Sequence, residues 1–219
     1  SAAATAMAAH TTGAYSRIRT QFNLPIGLFG GVQEPMARIA SSAYVIDAGR
    51  RLTTAALDEG HKLAVISAIM KYHATDRMRD AINDAMDVHG GKGVIDGPNN
   101  YLGNQYRAIP VGITVEGANI LTRTLMVFGQ GAIRCHPYAL KEMRALMTGD
   151  VKAFDAAFWP HIGHVVRNAF RGVGLSLTRG WLAGSPVSGP AARYWRKMAW
   201  TSATFAFLAD LAMGTLGGD

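Results

Sequence analysis

Cysteine is nearly missing from this 219-residue chain. Cys135 stands alone, so no intrachain disulfide can form, and a reducing compartment fits that usage. Charge is also sparse, at 17% of residues against 49% apolar, which excludes a disordered, charge-rich chain. No run of Lys or Arg marks a nucleic-acid arm, and nucleic acid is not expected as a partner. No stretch approaches the roughly 20 uninterrupted apolar residues that a membrane span needs. The nearest, Trp200 to Leu216, contains Asp210 and reads as a buried or surface-lying helix. Alternating β-branched segments are almost lacking, so no sheet is expected. No repeat recurs at solenoid periods. The chain opens with neither a signal peptide nor a Met, and Ser1 to Ala6 reads as the inside of a helix. A piece of a longer protein is expected.

What is present points to helices. The first should run from Ala2 to about Phe22 and stop before Pro25, because a residue preceding proline avoids the helical region. A Gly-rich turn, Gly27 to Gly31, follows. Pro35 suits the first turn of a second helix, whose apolar face carries Met36, Ile39, Ala43 and Ile46 and which Gly60 should end. Leu63, Ile66, Met70, Ala74, Met78, Ile82 and Ala85 form a helical stripe that terminates at Gly90-Gly91. Gly93 to Gly103 reads as a loop around Asp96-Gly97-Pro98, and Val111 to Phe128 as a fourth apolar helix. These elements predict an all-α fold, an antiparallel four-helix bundle over 1–135, followed by further helices over 136–219. In that extension Lys141 to Met147, Asp150 to Phe170 and Ala191 to Leu216 are the helical pieces, and Leu182 to Pro190 a linker. The last helix is basic first (Arg193, Arg196, Lys197) and apolar afterwards. The net charge of +7 suits an anionic membrane surface or an acidic ligand such as a nucleotide diphosphate, and equally a merely solvated basic surface.

Glu116 is the residue that stands out. It lies in Ile113-Thr114-Val115-Glu116-Gly117-Ala118-Asn119, an apolar context with no adjacent base. Burial would raise its pKa, as a general base working near neutrality requires, while Gly117 would let a ligand approach closely. A helix-start acid stabilised by the helix dipole is the competing reading. His161 and His164 are three apart and could share a helix face as metal ligands, but no third His or Cys beside them supports a site, and no metal is expected. Cys135 and His136 are neighbours in sequence and read as structural. Met70, Met78 and Met86 read as core.

Three motifs in order carry a resemblance. Arg19-Thr20-Gln21-Phe22-Asn23-Leu24-Pro25-Ile26, the turn Gly90-Gly91-Lys92-Gly93, and Val115-Glu116-Gly117-Ala118, with Arg107 between the last two, resemble the signatures of acyl-coenzyme A dehydrogenases. Tyr101 to Pro137 is similar to the long-chain bacterial branch, which carries a helical extension. The resemblance implies an FAD enzyme of fatty acid β-oxidation that turns a fatty acyl-CoA into the trans-2-enoyl-CoA. Glu116 would be its α-proton base, Arg19 would touch the FAD pyrophosphate, Gln21 and Phe22 would line that site, and Gly90 and Gly91 would approach the cofactor across a homodimer. It further implies an electron-transfer acceptor for the reduced flavin. The lone cysteine and the basic last helix lead us to expect a cytoplasmic location with peripheral contact at the inner face of the bacterial membrane. The sequence departs from the family at Asn23 for Gly, Asp87 for Gln, His89 for an aromatic residue and Ala118 for a hydroxyl residue. A non-catalytic helical module for dimerisation or membrane attachment is the alternative reading.

Overall fold

The computed structural model describes residues 1–216, which divide into two compact units, the first ending at residue 131 and the second beginning at residue 132. In the first unit, α1 (Ala2–Ile18), α2 (Gly30–Asp58) and α3 (Ala64–His89) pack pairwise against one another, and α5 (Gly103–Thr114) packs on α3. The short α4 (Gly91–Val94) follows α3 directly. The core gathers Ile39, Ala81, Ile82, Ala85, Leu102 and Ile109 around Ala8. The stripe expected on α3 therefore faces inward at its carboxy-terminal half. The α1 face turned to the other helices is made of small residues, Thr5, Ala8, Thr12 and Ser16, all buried. Small side chains let helix axes approach closely, and the Thr5 and Ser16 hydroxyls meet that burial by donating to Ser1 O and Gly13 O of their own helix.

Helix ends follow local chemistry. Gly60 adopts φ +82°; its N–H donates to Leu57 O, and the His61 N–H donates to Ala56 O. That paired closure satisfies two carbonyls which the end of α2 would otherwise leave bare.

Three expectations need correction. α1 ends at Ile18, four residues early, and the chain then forms a two-residue antiparallel ladder, Thr20–Gln21 with Leu24–Pro25, where no sheet was expected. Phe22 and Asn23 turn it with φ +50° and +62°, the conformation that a tight right-twisted hairpin demands and that Asn tolerates. α2 begins at Gly30, so Pro35 lies inside it, beyond the first turn. The fourth segment is not one helix. α5 stops at Thr114, Val115 to Ala118 form a break, and helix resumes at α6 (Asn119–Leu121), passing through a π-helical stretch (Thr122–Gln130) into α7 (Gly131–Cys135).

In the second unit α8 (Ala139–Thr148) and α10 (Ala192–Leu216) each pack on α9 (Val151–Leu177). Asp150 caps α9 by accepting from the Ala153 N–H at 3.0 Å. The apolar core here is small, with Leu175, Ala183 and Ala203 buried and Ala199 and Trp200 against them. Among the described residues no helix is long and apolar enough to cross a membrane.

Candidate functional site

Glu116 sits at the apex of the break between α5 and α6. Its φ is +55° and that of Gly117 is +84°, two consecutive left-handed residues. A non-glycine residue in that region is strained by about 1 kcal/mol or more, and such strain gathers at functional positions. The side chain is exposed. The apolar enclosure expected around this carboxylate is not formed by these residues, because the helix that was to carry it is interrupted and the loop turns it outward. The loop itself is firmly held. Lys71 of α3 donates from Nζ to Gly117 O and to Asn119 Oδ1, each at 2.7 Å, and reaches Ile113 O at 3.4 Å. Asn119 is buried and exchanges hydrogen bonds with the buried Thr75 hydroxyl at 2.9 and 3.2 Å. Thr122 Oγ1 donates to Gly117 O as a second partner, at 3.0 Å.

The other expected residues lie elsewhere in the same unit. Arg19, Gly91 and Lys92 line one cleft of about 700 Å³, together with Tyr15, His89 and the Ile95 to Asn100 loop. A Cβ on Gly91 would meet nothing within 4 Å, so its backbone faces open space. Gly90, at φ +56°, turns the chain from α3 into α4 and lines a neighbouring cleft with Asp87 and Arg107. Gln21 and Phe22 are on the hairpin, both exposed, and the Phe22 ring meets Phe29 edge-on at 6.3 Å. Along α3 the Lys71 clamp and the Gly90 turn are nineteen residues apart, about 28 Å at 1.5 Å per residue. The structure thus brings Arg19 to Gly91 and keeps Glu116 away from both.

His89, which departs from the family pattern, replaces an aromatic ring by acting as one. It stacks on Tyr15 at 4.3 Å, donates from Nδ1 to Ala85 O at 2.7 Å and accepts the Tyr101 hydroxyl at Nε2. Burial holds this imidazole below its ordinary pKa, with the Lys92 charge acting in the same direction.

The second unit contains a cluster of a different kind. One ring nitrogen each of His136 and His161 and a carboxylate oxygen of Asp210 lie within 4.8 Å of one another, so the pair His161 and His164 is not the one that converges. Asp210 Oδ1 is 2.9 Å from His136 Nε2, in poor alignment for a hydrogen bond, and 3.3 Å from His161 Nε2. Glu142 Oε1 meets His161 Nδ1 at 2.8 Å. The spacing suits a metal, but the proton positions oppose one. His136 Nδ1 accepts the Ala139 and Tyr138 N–H groups at 2.9 and 3.2 Å, so it carries no proton, and in the neutral ring Nε2 must carry it. That Nε2–H faces Asp210 Oδ1 without a well-formed hydrogen bond and offers no lone pair to a cation. The cluster is a clasp of imidazoles and carboxylates that joins α8, α9 and α10. His164 packs edge-on against His136. Burial pushes the pKa of both His136 and His164 down, with the Asp210 charge opposing it.

Comparison with known proteins supplies what the geometry lacks. The family described as acyl-CoA dehydrogenase, C-terminal domain, matches residues 1–127, and the one described as acyl-CoA dehydrogenase, C-terminal, bacterial type, matches residues 133–219. The chain belongs to the acyl-CoA dehydrogenase family. It is 28% identical over 160 residues to the mouse very long-chain specific acyl-CoA dehydrogenase, covering 73% of this chain and 21% of that protein. It is 32% identical over 84 residues to a 3-(aryl)acrylate reductase of Clostridium sporogenes, covering 37% of this chain and 22% of that one. The chain therefore spans about a fifth of the length of these relatives. Among solved structures, the glutaryl-coenzyme A dehydrogenase glutaryl-CoA complex superposes with a TM-score of 0.55 at 25% identity, over 61% of this chain and 33% of that one. An FAD complex of PigA shares the fold, with a TM-score of 0.53 at 18% identity over 58% of this chain and 33% of that one.

Lys71, Thr75 and the histidine–carboxylate clasp escaped the sequence reading. Lys71 had one signal available, a lone cation in the apolar-rich first half of α3 beside Met70 and Ala74. The clasp joins positions up to 74 residues apart and had none.

Proposed function

We propose that this chain is the carboxy-terminal part of an FAD-dependent acyl-CoA dehydrogenase that converts a fatty acyl-CoA to its trans-2-enoyl-CoA, with Glu116 as the base. The observation that carries this reading is the Glu116 loop itself. A carboxylate at a strained left-handed position, exposed, and fixed from below by a lysine is held ready for a partner that comes from outside these residues. The Glu116 carboxylate takes the proton α to the thioester carbonyl, and the electron pair of that C–H bond becomes the new double bond. FAD, when bound, accepts the hydride that leaves the β-carbon. The water exclusion that would tune Glu116 must come from substrate, flavin and the remainder of the protein. Names of relatives fit this chemistry in either direction, since a dehydrogenase forms an α,β double bond and an acrylate reductase removes one.

The cleft of Arg19, Gly91 and Lys92 fits the pyrophosphate half of the cofactor: two cations flank an open glycine backbone, and a guanidinium fork suits paired phosphate oxygens. Gln21, Phe22 and Gly90 border it. The Lys71 clamp under the Glu116 loop lies about 28 Å along α3 from the Gly90 turn beside this cleft, a separation that supports a homodimer in which one subunit's cleft would hold the phosphate end of a cofactor that works with another subunit's base. An electron-transfer acceptor would take the electrons from the reduced cofactor. We place the boundary between bundle and extension after residue 131, where the chain divides into its two compact units.

The test uses the full-length flavoprotein. Anaerobic mixing with a long-chain acyl-CoA bleaches the flavin in the wild type and not in Glu116→Gln, with fold and flavin content unchanged. Equal bleaching in both would move the base elsewhere.

A second reading rests on α9. Trp159, Ile162, Val166, Phe170, Val173 and Leu177 are all exposed and share one stripe, opposite the face buried through Ala157, Asn168, Gly172 and Leu175. Arg167 and Arg171 flank it, and residues 132–219 hold ten Lys and Arg against five Asp and Glu. Such a helix suits peripheral contact with an anionic membrane at the cytoplasmic face. Co-sedimentation with anionic but not neutral vesicles is expected; no binding to either removes this role.

A further inference from the structure

We propose that Lys71 is the positioning residue of the base: its ammonium locks the Glu116-Gly117 turn into its left-handed form. This inference rests on the reading of Glu116 as the base. The Lys71 ammonium has three N–H groups, and three oxygens surround it: Gly117 O, Asn119 Oδ1 and, more distantly, Ile113 O. No carboxylate among the described residues pairs with it, so its charge is spent on the loop alone.

A lysine that merely capped α5 would hold only the carbonyls of the last helical turn, such as Ile113 O. Lys71 goes further. It grips the carbonyl immediately after the Glu116-Gly117 pair and the side chain that opens the next helix, so one cation spans both ends of the break. Thr75 sits one turn along α3 on the same face and secures Asn119 in its place. Thr122 adds its hydroxyl to Gly117 O. Released from these contacts, Glu116 would leave φ +55° for the ordinary helical or extended regions, because side-chain sterics favour them. Its carboxylate would then move by more than the ångström that general base catalysis tolerates.

The experiment compares Lys71→Met, Lys71→Gln and Glu116→Gln in the full-length flavin-loaded enzyme. Four quantities are measured: kcat, flavin content, the dissociation constant of a non-oxidisable acyl-CoA thioether, and exchange of the thioester α-proton with deuterated water. The exchange reports the base alone. Lys71→Met, which keeps length and loses every donor, is expected to lower kcat and α-proton exchange together by about 100-fold. Lys71→Gln, with an amide in reach of fewer acceptors, should fall between Met and wild type. Flavin content and thioether affinity should stay within about threefold of wild type in both. Inactive Glu116→Gln beside a Lys71→Met enzyme of normal kcat and exchange overturns the positioning role and leaves the base intact. An active Glu116→Gln overturns the base assignment and the positioning role with it. Loss of flavin or of folded protein in Lys71→Met, with Lys71→Gln at wild-type exchange, assigns Lys71 to stability and overturns the proposal.

Discussion

Removing the Asp210 carboxylate tests whether the clasp, more than the apolar core, holds the second unit together. Among the described residues of the second unit, Leu175 and four alanines, Ala145, Ala157, Ala183 and Ala203, are the buried apolar side chains, while Asp210 is 3% exposed at its side chain and His136 7%. Asp210→Ala removes the carboxylate that faces the buried His136 Nε2 at 2.9 Å and His161 Nε2 at 3.3 Å. Leaving a buried polar group without its partner costs about 1–3 kcal/mol. The upper end applies, because one deletion takes the facing carboxylate from both rings, although His136 keeps its two backbone donors and His161 keeps Glu142. About 3 kcal/mol corresponds to roughly a 100-fold rise in the open population. Amide hydrogen exchange on the chain at neutral pH, resolved to peptides of α9 and α10 and of α3, measures this directly. Exchange in α9 and α10 should accelerate by about that factor while α3 is unchanged, since α3 belongs to the other unit. Asp210→Asn, which keeps shape and one acceptor, should lie between. Equal protection of α9 and α10 in Asp210→Ala and wild type would refute the reasoning, as would an equal loss in α3.

Two further outcomes follow from the same accounting. His89, His136 and His164 are all held below the ordinary imidazole value by burial, so the unfolded chain binds more protons than the folded one in acid. Stability is then complete above about pH 6.5 and declines as pH falls toward the lowered values; chemical denaturation at pH 7.5 and pH 5.5 checks the sign, and greater stability at pH 5.5 would contradict it. In the bundle, Ile82 is fully buried between α1, α2 and α5, and Ile82→Ala should cost about 3 kcal/mol with α9 protection unchanged; a loss below about 1 kcal/mol, read from α3 exchange, would place Ile82 outside the cooperative core.

The sequence showed the helices more clearly than their ends. Period-3.6 stripes on α2 and α3 follow from which side chains must leave water, so Ile39, Ile46 and Ile82 were readable as core and are buried. The end at Gly60 was readable because only a residue free to take positive φ closes a helix that way. The hairpin after α1 was not, since its turn uses Phe22 and Asn23, and Phe at φ +50° has no propensity signature. The break at Glu116 had a visible cue in Gly117, which apolar continuity from Val111 to Phe128 masked. Motif order named the family, yet it did not reveal which motifs meet in space. Arg19 and Gly91 share a cleft because α1 and the start of α4 come together at one end of the bundle, a tertiary fact with no local trace.

The exposure of Glu116 explains why a carboxylate in an apolar sequence was misread as a buried one. Its neighbours Ile113, Val115 and Ile120 are apolar, yet Val115 is 47% and Ile120 78% exposed. An apolar segment that its own domain leaves uncovered while a lysine fixes its backbone is built to be covered by something else. Hydrophobic pattern reports that a surface is destined to leave water; it does not report which molecule will cover it. For the core of α3 the answer lies within the chain. For the Glu116 loop the chain contributes a rigid support, an exposed carboxylate and an apolar rim, and under the function proposed above the enclosure around that carboxylate would arrive with the thioester, the flavin and the rest of the protein.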